Sequence, residues 1–131
     1  MPHRERPLPQ PRCHRYDLTP EWTVFAGRTD ADNDLLSTSF ARPDDYWFHA
    51  HDVPGSHVLL RGDGEPDREL IMAAAAIAAW HSKARQSSSC TVDCTRARFV
   101  SKPPRAPAGT VTISNSRTLK VHPALPDGLL S

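Results

Sequence analysis

Apolar and polar positions alternate at Trp22 to Arg28 (WTVFAGR) and at Tyr46 to Asp52 (YWFHAHD), both rich in aromatic residues, as half-buried strands are. SHVLLRG resumes the pattern after Pro54 and Gly55, a pairing that marks a tight turn, so the two runs flanking it are expected to pair as a hairpin-like unit. Pro66 and Asp67 then make a helix start, with Glu69 favourable in the first turn. The helix is expected from Asp67 to Arg85, because its AAAAIAA segment has the highest helix propensity in the chain. Small side chains let such a helix lie close against a sheet, anchored by Leu70, Ile71, Ile77 and Trp80, with Lys83 and Arg85 in its last turn. CTVDCT, RARFV, TVTIS and TLKV follow as short strands, with SNSR as the last turn. The plan is an α+β single domain, an antiparallel or mixed sheet of short strands packed on one long Ala-rich helix.

A chain of 131 residues holds one core of ordinary size and not two. Thirteen prolines gather at the ends and near residue 105, leaving only Pro43, Pro54 and Pro66 between residues 21 and 102. The expected organisation is therefore a flexible Pro/Arg-rich arm over residues 1–20, a folded domain over 21–123 and a tail over 124–131. The first 16 residues hold too little apolar surface to offset the entropy of ordering themselves. No signal peptide is apparent, and the longest apolar run, Leu70 to Trp80, is well short of the ~20 residues that span a bilayer. A cytoplasmic protein without a membrane partner is expected. Cys13, Cys90 and Cys94 build neither a disulfide framework nor a four-ligand zinc pattern, so free thiols and no cofactor are expected.

The formal net charge of +1 conceals its placement. Residues 17–82 sum to −8, whereas residues 83–120 sum to +7. A basic cluster of that size can neutralise several phosphates, giving affinity that falls steeply with salt. The alternative is that the two oppositely charged segments pair with each other across the fold.

Arg42 to Arg61 packs Asp44, Asp45, Asp52, His49, His51, His57 and Trp47 around the Pro-Gly turn. On a strand, Tyr46, Phe48 and Ala50 would share one face, and Asp45, Trp47, His49 and His51 the other. Two histidines at i and i+2 near carboxylates suit a metal, or a hydrogen-bonded polar network. The cupin-like His-x-His pattern lacks its following glutamate, Gly55 and Ser56 standing there instead.

AGRTDADNDLL, ARPDDYWFHAHDVPGSHVLLR, AAAIAAWHSKAR and VSKPPRAPAGTVTI together resemble the NFACT-R domain (DUF814), from about Trp22 to Pro123. Family positions are matched at Gly27, Arg28, Asn33, Asp45, Trp47, His49, Ala50 and the Pro54 to His57 block. They are matched again at Ala78, Ala79, Ser82, Lys83, Arg85, Lys102 and Gly109. Thr29 stands where the family favours Asn, Cys94 where it favours Tyr, and Arg105 where Gly is usual.

The resemblance implies the RNA-binding module of ribosome-associated quality control proteins, in a free-standing bacterial form. Roles that need the family's N-terminal domain, helix-hairpin-helix segment and coiled coil are not expected here. RNA binding without catalysis is expected, with tRNA or structured ribosomal RNA and with the large ribosomal subunit as a candidate partner. Lys83, Arg85 and Lys102 would meet phosphates, and Arg28 and Arg105 join them as candidate RNA-binding residues, Arg105 keeping its loop basic. Trp47 and His49, if solvent-facing, would stack on bases, and Asn33 and Ser56 would hydrogen-bond base edges or a 2′-hydroxyl. Asp45 and His57 complete the candidate set. Against this, Trp47 is readable, and somewhat more readily, as core, Asp45 and His57 as braces of the turn, and Gly55 as a residue needing positive φ. Two rivals remain: a metal-dependent or His/Asp acid-base enzyme acting on RNA, and an adaptor on the ribosome or an RNA-modification enzyme.

Overall fold

Strands with alternating patterns come together as one sheet in the computed structural model, which describes residues 10–126. They are β1 (Cys13–Asp17), β2 (Thr23–Gly27), β3 (Tyr46–Ala50), β4 (Val58–Arg61) and β5 (Cys90–Arg96). A last strand, Arg117–Val121, completes it and is numbered β8 because β6 (Val100–Ser101) and β7 (Thr112–Ile113) precede it. The order is β1-β2-β4-β3-β5-β8, and every pairing is antiparallel. β3 and β4 pair as expected across the Pro-Gly turn, Trp47 opposite Leu59 and Phe48 opposite Val58.

Two α-helices are present among the described residues. The first, α1 (Asp30–Leu35), runs into a π-helical turn at Leu36–Phe40, where the sequence pattern assigned no element. Thr29 caps it, its Oγ1 accepting from the Asp32 amide at 3.1 Å, so it satisfies an orphan amide as Asn also does at an N-cap. The second, α2, is Arg68–Trp80, with Asp67 Oδ1 accepting from the Leu70 amide at 2.9 Å. It is 13 residues long and not the long helix expected to Arg85. Tertiary pairing ends it: the Ser56 amide donates to the His81 carbonyl, and the Lys83 amide to that of Pro54, both at 2.9 Å. Local helix propensity at residues 81–85 yields to those two backbone bonds.

The sheet is covered on both faces. Under α2 lie Val24, Ala26, Phe48, Ala50, Val58, Leu60 and Val92, with Ala74, Ala75, Ala78 and Ala79 in the close approach that small side chains permit. Ile71 and Ile77 join that core and Leu70 packs at its edge, but Trp80 does not anchor it; the Arg85 guanidinium lies over its ring. On the other face Trp47 and Leu59 meet Leu36, flanked by Phe25, Phe40, Val100, Val111 and Ile113. The RARFV run is mostly a 3-10 turn (Ala97–Phe99), and β6 pairs with β7 in a separate two-stranded ribbon over this face.

The arm expected over residues 1–20 is corrected from Cys13 onward. β1 pairs along its whole length with β2, and Tyr16 packs against the α2 core. An edge strand needs few apolar residues when its neighbour supplies the hydrogen-bond ladder, which composition does not reveal. The tail expected from residue 124 is likewise docked at its start: the Ala124 amide donates to the Ala76 carbonyl at 3.3 Å, and Leu125 packs on the core. The remaining parts of both expected segments, residues 1–9 and 127–131, lie outside the described residues.

Candidate functional site

At one end of the sheet, β2 runs into α1 beside the start of β4, and four buried or half-buried residues lock the junction. The Gly27 amide donates to the His57 carbonyl at 3.0 Å, and the His57 amide donates to Asn33 Oδ1 at 3.0 Å. Ser56 Oγ donates to the Gly27 carbonyl at 2.6 Å. Gly27 permits this because a Cβ there would fall on the Asn33 amide. Asn33 and Ser56 were expected to meet base edges or a 2′-hydroxyl; both instead satisfy backbone groups, although both line the groove above the junction.

That groove encloses about 380 Å³. Its second wall is the stretch after α2, held by the pairing of residues 54–56 with 81–83. This pairing turns Lys83 and Arg85 out of the expected helix and onto the groove rim, facing Arg28 from the end of β2. All three are exposed, and among the described residues none has an ion-pair partner. Asp30 is the single carboxylate in the lining. Two expected phosphate contacts, Lys83 and Arg85, therefore converge with the candidate Arg28, which lies far from them in sequence, whereas Lys102 does not join them.

The groove also contains residues that sequence reasoning missed. His14 and His81 stack with ring centroids 4.5 Å apart and 15° between planes, and the Tyr16 hydroxyl lies 2.6 Å from His81 Nε2. Burial lowers the pKa of both histidines. Arg28 and Arg85 add to the shift of His14; His14 and Arg85 add to that of His81, which is pushed down to about 4. Both rings are thus neutral at neutral pH. The available signal was the alternation His14, Tyr16 in CHRYD, masked by flanking prolines and arginines.

The other candidates lie elsewhere. Trp47 is 3% exposed and its indole N–H donates to Ser37 Oγ at 2.9 Å, so it is core and not a stacking surface. Ser37 Oγ sits 2.6 Å from His57 Nδ1. His57 is buried, and burial first, then His49, pushes its pKa down to about 4. Asp45 is buried too, accepting from Arg61 Nη2 at 2.8 Å and the Arg42 amide at 2.9 Å. Its carboxylate is therefore bound to Arg61 and not poised beside the imidazoles. His49 is half-buried on a second cleft with Asp93 and Thr110, its ring 5.5 Å from that of His57. Among the described residues no group of three His, Cys, Asp or Glu is placed to hold a metal ion.

Lys102 is a brace, with Nζ 3.0 Å from Asp34 Oδ1 and 2.5 Å from the Pro107 carbonyl. Arg105 is exposed on the same loop, away from the groove lining. Cross-fold pairing accounts for part of the basic segment: Arg96 meets Glu65, Arg98 meets Asp44, and Lys102 meets Asp34. Of the bases in that segment outside these pairs, Lys83 and Arg85 line the groove, and Arg105, Arg117 and Lys120 lie apart from it.

Fold and groove together define a small α+β module built on an antiparallel sheet, presenting a rim of unpaired cations. The chain belongs to the NFACT protein RNA binding domain family, whose sequence profile matches residues 12–115. It is 44% identical over 113 residues to the Rqc2 homolog RqcH of Bacillus subtilis strain 168, covering 86% of this chain and 20% of that protein. The corresponding protein of Streptococcus suis is 37% identical over 122 residues, covering 92% and 22%. The chain thus spans about one fifth of the length of these curated relatives. The solved C-terminal part of the fibronectin/fibrinogen-binding protein of Streptococcus suis superposes with a TM-score of 0.81 at 32% identity, covering 93% of this chain and 49% of that one. No helix among the described residues is long and apolar enough to cross a membrane.

Proposed function

We propose that this module binds RNA without catalysing a reaction on it, through the groove rimmed by Arg28, Lys83 and Arg85. The observation that carries the reading is the convergence of these unpaired cations on one concave surface while the other bases of the basic segment pair internally or lie apart from it. Such a rim supplies the sequence-independent, salt-sensitive part of nucleic-acid affinity. Family membership and the RqcH relatives support ribosome-associated quality control as the setting, with tRNA or structured ribosomal RNA of the large subunit as ligand and the cytoplasm as location.

The test is tRNA affinity against salt. Binding is expected to weaken by orders of magnitude between low and moderate ionic strength. The joint Lys83→Ala, Arg85→Ala variant is expected to bind weakly at low salt while losing no more than about 1 kcal/mol of stability, since both side chains are exposed and only the contacts of Arg85 with Trp80 are removed. Unchanged affinity in that variant rejects the groove as the interface.

A further inference from the structure

Cations alone would suit a duplex or a single strand equally, but this groove has an aromatic wall. His14 projects from edge strand β1 and His81 from the segment that ends α2, and their rings lie parallel at 4.5 Å. Tyr16 fixes the ring of His81, and the His81 carbonyl accepts from the Ser56 amide, so this half of the wall is held at ring and backbone. His14 meets His81 on one side, and among the described residues no second ring contacts it. Arg28 and Arg85 flank the pair and line the same groove. The groove is open and its volume, about 380 Å³, is at the small-ligand end of the pocket range, enough for a nucleotide-sized group.

We propose that the His14–His81 stack is a platform on which one unpaired RNA base lies, its neighbouring phosphates held by Arg28, Lys83 and Arg85. The ligand class is then a single-stranded or looped-out nucleotide in RNA and not a continuous duplex. Flat rings combined with a basic groove are the usual means of holding single strands without reading sequence. The pair is already assembled without a ligand, so little ordering is needed on binding. Both imidazoles are neutral at neutral pH for the reasons given above, which suits them to stack while the arginines and Lys83 supply the charge.

This inference rests on the groove being the RNA interface, and the experiment separates the two. The intact chain is titrated with short oligoadenosine, with an abasic strand of the same length and charge, and with duplex RNA. His14→Ala is expected to weaken oligoadenosine binding about ten-fold, the scale of one stacked base, and to leave the abasic strand and duplex unaffected. His14→Phe is expected to retain the affinity, because a flat ring is kept. Equal binding of oligoadenosine by His14→Ala and wild type overturns the proposal, as does an equal loss on all three ligands, which would mark His14 as structural. If Lys83→Ala, Arg85→Ala also leaves all affinities unchanged, the groove reading has failed. If that variant weakens binding but His14→Ala does not, only the stacking platform has.

Discussion

Gly55 and Ser82 form a single antiparallel bridge, and a Cβ on Gly55 would lie 2.7 Å from the Cβ of Ser82. The glycines with positive φ among the described residues are Gly64 and Gly109, so Gly55 serves close approach and not the turn freedom expected of it. Backbone atoms of His81 and Ser82 lie 3.1 Å from the same hypothetical Cβ, which leaves no flexible side chain to give way. Gly55→Ala is expected to cost about 1–3 kcal/mol as overpacking. It should also displace Lys83 and Arg85, so RNA affinity measured on the folded fraction falls as well. An unshifted urea midpoint would contradict this account.

Gly27 and Asn33 make a linked prediction. Asn33→Ala leaves the buried His57 amide without its acceptor, at a cost of about 1–3 kcal/mol. Gly27→Ala pushes a methyl onto the Asn33 amide and breaks the same bond. In the double variant the clash has largely lost its target, so the combined loss is expected to be smaller than the sum of the two. Denaturant unfolding of all four proteins checks this; strict additivity would show that the contact is not shared.

How much of this was legible in the sequence depends on where each determinant lies. The β3–β4 pair was readable because its period-two pattern and its turn are contiguous in the chain. The end of α2 was not, because what stops it is a bridge to residues 54–56, and local propensity carries no record of a distant backbone partner. Trp47 was ambiguous for a similar reason: a strand shows its two faces equally, and its cover comes from Leu36 and from the ribbon of β6 and β7. Arg28, Lys83 and Arg85 were each among the candidates the sequence offers, whereas their convergence with His14 required β1, which a count of apolar residues had dismissed.

Asp45 and Arg61 form a largely buried ion pair, with side-chain exposures of 4% and 15%. Arg61 also donates to the Phe40 carbonyl at 2.7 Å and lies over the Phe40 ring. Removing one partner strands the other, so Asp45→Ala is expected to cost about 3–5 kcal/mol. RNA affinity per folded molecule is expected to stay at the wild-type value, since the carboxylate does not line the groove. A variant of normal stability with lost binding would return Asp45 to the interface.

Acid should loosen the fold through His57 and His81. Burial holds each at about 4, below the ordinary histidine value of 6.5. The unfolded chain therefore binds more protons than the folded one across this window. Their contribution is complete above pH 6.5 and is lost as pH falls toward about 4. His51, raised by its bond to Asp93, has the opposite sign, but it is exposed and screened. The carboxylates held low, Asp17, Asp32 and Glu65, act in the same direction only below their ordinary values of 3.8 to 4.5. Urea midpoints taken between about pH 7.5 and 4.5 should decline, and His81→Gln should flatten part of that decline. A flat profile in the wild type would show that the two rings titrate normally.

Arg105 adopts φ 63° on the loop that Lys102 braces through Asp34, Pro107 and Thr110. A side chain in the left-handed region costs about 1–2 kcal/mol that glycine does not incur, partly offset by the freedom glycine gains when unfolded. Arg105→Gly is therefore expected to leave stability unchanged or raise it by up to about 1 kcal/mol, despite the lost charge. Lys102→Ala should do the reverse, freeing residues 103–110 to faster amide exchange, because three oxygens lose their common donor. Since neither residue lines the groove, neither substitution is expected to change the slope of RNA affinity against salt, whereas each cation removed from the rim should reduce it by about 1. Salt titrations of the Arg28→Ala and Arg105→Gly proteins side by side decide it: equal slopes would place the loop, and not the groove alone, against the phosphates.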